Sequence, residues 1–334
     1  MFRLVLLCFL FLAGLLRAQE PLLQIDIPEG AKPWTSLDLN NEADNFQFII
    51  VTDRTGGHRP GVFEDAVHKI NLLQPEFVMS VGDLIEGYTD DVAQLDREWN
   101  EFTGFTDQLQ MPFFYVPGNH DLTNAVQERV WEERFGPTYY HFVYRDVLFL
   151  CLNSEDQLRG AGRGTLSDEQ FDYVQRVLAE HEEVRWTMLF MHQPLWLYEE
   201  TERWREVEAL LAERKHTVFV GHVHHYVKYE RNNGRYYTLA TTGGGSNLRG
   251  PQLGEFDHVT WVTMTEEGPI MANLALSGIW RDDVVTEKDY GFLTTLEARK
   301  PVRLIPPFTD AAEFTGGTLQ LRLENPADIP VLVR

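Results

Sequence analysis

Short apolar runs alternate with longer amphipathic stretches along this chain. The runs cover residues 46–51, 77–81, 113–116, 147–152, 186–191 and 218–220, with a seventh at 236–240. Each is rich in β-branched and aromatic residues and too brief for a helix, so the pattern predicts buried strands. Between them, Val62, Phe63, Ala66, Val67, Ile70 and Leu73 share one helical face, which Pro75 ends. Val92, Leu95, Trp99, Phe102 and Leu109 form a second stripe, and Trp204, Val207, Leu210 and Leu211 mark a third. Ser167 and Gln170 have capping-box spacing ahead of Phe171, Val174 and Leu178. Strands alternating with helices in this way predict βαβ units, an α/β fold and a mainly parallel sheet.

After about Asp257 the pattern changes. Residues 259–264 and 270–276 flank a Gly/Pro turn and read as a β-hairpin. From Ile279 the signals weaken, and 318–323 and 331–333, around Asn325-Pro326, read as strands of a small β-rich appendage. The start reads as an export signal over residues 1–18: Arg3, an apolar stretch over 4–16, then Ala18 before Gln19 and Glu20. That stretch is shorter than the roughly 20 residues that span a bilayer. The expectation is therefore an exported protein, periplasmic or secreted, with no transmembrane segment in the mature chain. The implied organisation is a signal peptide (1–18), a lead-in (19–45), a main domain (46–280) and a β-rich C-terminal extension (281–334).

Of two cysteines, Cys8 lies in the leader and Cys151 inside an apolar run, where it reads as a buried core thiol. Export without disulfides points to a bacterial envelope protein. The formal charge of −22 argues against a nucleic-acid partner, because phosphate backbones are held by clustered Lys and Arg. It leaves open a small phosphoester substrate whose charge a bound metal meets locally.

The candidate chemistry sits directly after the strands. The first run leads to Asp53, the second to Gly82-Asp83 and the third to Gly118-Asn119-His120-Asp121. The fifth leads to His192 and the sixth to Gly221-His222-Val223-His224. Carboxyl ends of parallel strands share one edge of a sheet, and ligands bind there. Oxygen and imidazole donors without thiolates suit Mn, Zn or Fe. There is no phosphate-binding P-loop, no Gly-x-Ser-x-Gly elbow and no His-Glu-x-x-His.

This order of motifs, over roughly residues 46–265, resembles the calcineurin-like metallophosphoesterases. The resemblance implies a four-layer αββα sandwich of two mixed β-sheets flanked by helices. It also implies two divalent metal ions and a metal-bound hydroxide that attacks a phosphomonoester or phosphodiester. Carried over by position, Asp83 would bridge the ions. Asn119, His192 and His222 would complete one site, and Asp53 and His224 would belong to the other. His120 would act as general acid or charge stabiliser, and Asp121 would orient its ring. Arg54, Arg163 and Arg249 are candidate phosphate contacts, with a solvated surface Arg as the plainer reading. The glycine run 243–245 also matches the family, although a tight turn is an equal reading of it.

The family's Asp-x-His is here Asp53-Arg54-Thr55, one imidazole short. His58, beyond Gly56-Gly57, is the residue that could fold back to replace it. Otherwise that site keeps Asp53, Asp83 and His224 with added water. The same departure leaves a second reading open, an envelope protein that keeps the scaffold to bind phosphate or a partner without turnover.

Overall fold

The computed structural model describes residues 22–26, 29–39, 45–158, 162–199, 201–299, 302–305 and 320–324. Its elements begin with β1 (Leu23–Ile25), β2 (Phe46–Val51), α1 (Val62–Leu73), β3 (Phe77–Ser80), α2 (Val92–Thr106) and β4 (Phe113–Phe114). Then come α3 (Ala125–Phe135), β5 (Tyr140–Tyr144), β6 (Val147–Cys151), α4 (Asp168–Glu180), β7 (Trp186–Phe190), α5 (Glu202–Leu211) and β8 (His216–Val220). The rest are β9 (Val227–Arg231), β10 (Gly234–Thr238), β11 (His258–Thr265), β12 (Gly268–Ala275) and β13 (Gly278–Arg281). They are followed by α6 (Glu287–Ala298), β14 (Val302–Ile305) and β15 (Gln320–Leu323).

Two large mixed sheets result, ordered β1-β5-β6-β7-β8-β10-β9 and β13-β12-β11-β2-β3-β4. The periodicity of β2 shows how the layers are built. Phe46, Phe48 and Ile50 belong to a core shared with Phe142, Phe149 and Phe190 of the other sheet. Ile49 and Val51, on the opposite face of the pleat, join Phe63, Leu95 and Trp99 of the covering helices. Phe48 stacks on Phe77 at 5.2 Å and Phe142 on Phe149 at 4.6 Å. Each buried Phe of this kind contributes about 1.5–3 kcal/mol. The α/β sandwich of two mixed sheets flanked by helices is thus the observed architecture.

The mainly parallel sheet that periodicity predicts is corrected. Pairs β2–β3, β3–β4, β6–β7, β7–β8 and β8–β10 are parallel, but hairpins join β5 to β6 and β9 to β10. Arg145-Asp146 and Asn232-Asn233 at their tips all have positive φ, the two-residue turn whose twist suits a hairpin. The hairpin of β11 and β12 forms as expected, closing more tightly at Thr265↔Gly268. Cys151 is buried, and burial pushes its thiol up to about 12.

Ser167 caps α4 by accepting from Gln170 N. The Gln170 side chain does not complete the predicted box. It pairs with the backbone of Asn153 and with Asp156, fixing the segment after β6.

Packing continues past both expected ends of the main domain. In the lead-in, β1 pairs with β5, and Trp34 is buried beside Phe114 and Tyr140. Past residue 280, Val285 is fully buried and α6 begins with a Thr286/Asp289 capping box, so this part of the extension is helical. β14 and β15 pair with each other as a separate two-stranded ribbon. The expected strand at 331–333 and the leader at 1–18 lie outside the described residues.

Candidate metal centre

The candidate side chains leave the carboxyl ends of parallel strands in both sheets, so the centre lies where the two sheets meet. Asp53 follows β2, Asp83 follows β3, and Asn119 and His120 follow β4. From the other sheet, His192 follows β7, and His222 and His224 follow β8. The chain must turn sharply to present them. Asp83, His222 and His224 have φ of 57°, 70° and 53°, left-handed values that are costly for side-chain-bearing residues and concentrate at functional sites. A Cβ on Gly82 would sit 2.7 Å from Gly118 N, and one on Gly118 would sit 2.3 Å from Asp83 Oδ1. Both turns require glycine because their backbones touch.

The ligand atoms gather into two groups that share Asp83. Asp83, His192 and His222 form one, and Asp53, Asp83 and His224 the other, with all atoms in each within 4.8 Å. Asn119 Oδ1 joins the first, 2.7 Å from His222 Nδ1. His192 Nδ1 donates to the Val81 carbonyl at 2.8 Å, which turns Nε2 toward Asp83 Oδ2, 3.0 Å away. That Nε2 is fully buried and faces this carboxylate without a well-aligned hydrogen bond, a place that a cation would fill. Similarly, His224 Nδ1 bonds the Gly245 carbonyl and its Nε2 lies 3.2 Å from Asp53 Oδ1.

Electrostatics fit the same assignment. Burial favours a neutral Asp53, but adjacent His224 overrides it and holds the carboxyl below its usual range. Burial also opposes charge on His192 and His224, yet Asp83 raises the first to about 10 and Asp53 raises the second to about 9. Burial, reinforced by the charge of His192, brings His222 down to about 4. Protons on these imidazoles stand where a cation balances the carboxylates equally well, so the residues present fit divalent metal.

Two expectations are altered. Asp121 does not reach the His120 ring. Its carboxylate accepts backbone N–H bonds from Asp83, Leu84, Ile85 and Gly118 at 2.8–3.2 Å, tying the two glycine turns together. His120 Nδ1 instead bonds the Glu86 carbonyl at 2.6 Å, and its Nε2 lies 4.0 Å from Asp83 Oδ2. His58 does not fold back to Asp53: its Nδ1 pairs with Glu86 Oε1 at 2.9 Å. Thr55 is buried at the position of the family's imidazole.

The candidate arginines have other partners than the centre. Arg54 bonds the Leu84 carbonyl and pairs with Glu101, Arg249 pairs with Glu255 and Glu297, and Arg163 lies over Tyr198. The glycine run is more than a turn. A Cβ on Gly244 would lie 2.5 Å from Thr55 O and 2.8 Å from Asp53 O, so it lets two loops touch behind Asp53.

Sequence reasoning missed Glu86 and Tyr88, although Glu86-Gly87-Tyr88 follows Gly82-Asp83 in the same loop. Burial opposes ionisation of Glu86, but the nearby Thr55 hydroxyl and bonds from His58 and Gly57 bring its carboxyl down to about 2. Glu155, in the 153–157 segment that resembles the family's stretch before its central helix, is buried and pairs with Ser154 and Gln193. Burial pushes it up to about 7.

A family model described as calcineurin-like phosphoesterase matches residues 46–226. The chain is 30% identical over 215 residues to the serine/threonine-protein phosphatase CPPED1 of Mus musculus, covering 58% of this chain and 66% of that one. It is 25% identical over 190 residues to the 3',5'-cyclic adenosine monophosphate phosphodiesterase CpdA of Escherichia coli (strain K12), covering 54% and 66%. The matched part is thus just under two thirds of the length of either relative. A dimetal phosphatase structure from Danio rerio aligns with a TM-score of 0.56 at 14% identity, over 70% of this chain and 97% of that one. The family match spans more than half the chain, on the elements that carry the ligand set. This chain belongs to the calcineurin-like phosphoesterases.

Proposed function

We propose that this protein is an exported metallophosphoesterase that hydrolyses a small phosphomonoester or phosphodiester at an unequal pair of divalent metal ions. One observation carries the reading: two ligand groups share the single carboxylate of Asp83. Asn119, His192 and His222 would complete one site, and Asp53 and His224 the other. Mn²⁺, Zn²⁺ or Fe at such a pair polarises the phosphoryl group and lowers the pKa of bound water. The inequality follows from Thr55 and His58, since neither supplies the imidazole that the Asp53 side lacks.

The chain's own part in turnover centres on His120. Its Nδ1–H is committed to the Glu86 carbonyl, which fixes the ring and leaves Nε2 facing the centre. A proton on Nε2 passes to the leaving oxygen as the P–O bond breaks, or donates to a phosphoryl oxygen before that. Export rests on the leader pattern of residues 1–18 alone.

Hydrolysis of p-nitrophenyl phosphate and its bis-ester, with Mn²⁺ titrated in, tests the proposal. We expect turnover, a drop of about 10²–10⁴-fold in His120→Ala, and metal binding in one tight and one readily exchanged equivalent. The altered Thr55 position favours a second reading, a scaffold that binds phosphate without turnover. Tight phosphate binding with no hydrolysis across the metal panel would establish that instead.

A further inference from the structure

Tyr88 stands at the mouth of the centre in a strained conformation. Its φ is 48°, a left-handed value that is costly for an aromatic residue, and its side chain is 41% exposed. The preceding residue forces it there. A Cβ on Gly87 would lie 1.8 Å from His120 O, so the loop is pressed against the His120 backbone before it turns out. The Tyr88 ring then meets the His120 ring edge-on, with centroids 4.4 Å apart. Its hydroxyl oxygen accepts from Asn119 Nδ2 at 2.5 Å.

That bond has two consequences. An amide offers a donor at one end and an acceptor at the other, and only the oxygen can ligate a cation. Holding Nδ2 therefore keeps Oδ1 turned toward His222 Nδ1. In addition, a phenol that accepts through oxygen still has its own hydrogen to give. Among the described residues that hydrogen has no acceptor, and the ring lies on the exposed side of the centre.

We propose that Tyr88 orients the Asn119 amide for metal binding and donates its phenolic hydrogen to an oxygen of the bound phosphoester. The assignment rests on the phosphoesterase reading of the same site. Tyr88 is a positioning residue in the first role and a substrate contact in the second.

Tyr88→Phe keeps the ring and removes only the hydroxyl. It should weaken binding of the ion at the Asn119 side by about ten-fold or more, measured by Mn²⁺ titration of the metal-free protein. With metal saturating, KM for p-nitrophenyl phosphate should rise several-fold while kcat changes less, because the contact is already made in the bound ground state. Asn119→Asp separates the two roles. Its carboxylate oxygens are equivalent and need no orienting, and with no amide donor left the phenol gives its hydrogen to one of them, so adding Tyr88→Phe there should cost less metal affinity than in the wild type and no longer raise KM. An equal loss of metal affinity in both backgrounds would mean general loosening and overturn the orienting role. An active wild type matched by Tyr88→Phe in metal affinity and KM sinks this assignment alone. A wild type that neither binds metal nor turns over sinks the phosphoesterase reading, and this assignment with it.

Discussion

Asp121 and His120 are neighbours in sequence, yet they act on different parts of the molecule. Four backbone N–H groups converge on the Asp121 carboxylate, so its removal strikes the turns that place Asp83 and Gly118. Asp121→Asn sets an NH₂ against N–H donors, and we expect a loss of about 2–4 kcal/mol in unfolding free energy, read by urea titration. An Asp121→Asn protein of unchanged stability with a shifted pH–rate profile would return Asp121 to the role of orienting His120. The candidate ligands were legible in the sequence, because Asp83, Asn119, His192, His222 and His224 follow apolar strands, and the carboxyl ends of those strands, from both sheets, meet at the centre. The partners of His58, His120 and Asp121 were not. They depend on how the loop from Gly82 to Tyr88 turns back on itself, and such backbone angles leave little trace in residue spacing.

At the scale of elements, glycine loops decide how closely the strands can deliver their ligands. The segment after β10 passes against the segment after β2, with Thr242 N and Gly244 N both bonded to Asp53 O at 3.0 Å. Gly244→Ala would place a methyl group within 2.8 Å of two carbonyl oxygens. The loops must then part, at a cost of about 1–3 kcal/mol. We expect reduced occupancy on the Asp53–His224 side, detected as lower metal content per chain after dialysis, with the Asn119 side retained. Equal metal content in variant and wild type would show that the loops absorb the methyl group. Helices with clear stripes, α1, α2 and α5, were legible from periodicity. Helix α3 was not, because its buried residues include Gln127 and its outer face is crowded with charge. Strands β5 and β9 were missed for a related reason: their positions are set by hairpin partners, and the Asn232-Asn233 turn that could have announced one of them went unread.

For the whole molecule, the centre joins the two halves of the sandwich. Each ligand group takes residues from both sheets, so a cation held there ties β2 and β3 to β7 and β8. Binding that favours only the folded state adds stability by mass action, about 4 kcal/mol when free metal is 1,000-fold above its dissociation constant. Chelation should therefore lower Tm by several degrees, with Mn²⁺ restoring it, whereas a Tm indifferent to chelator would mean that the sheets hold without it. The sandwich was legible through the motif order, but the extent of the packed unit was not. The lead-in carries only three strand residues and one buried Trp, too short a signal to stand out. Yet that short piece covers the flank of β5, a run of five residues ending in Phe142, Val143 and Tyr144. Stripped of β1, the larger sheet would end in an apolar strand with unmet N–H and C=O groups, a template on which a second molecule can add its own strand. β1 covers that edge, and a protein trimmed to the boundary of the family match is expected to self-associate, read by light scattering.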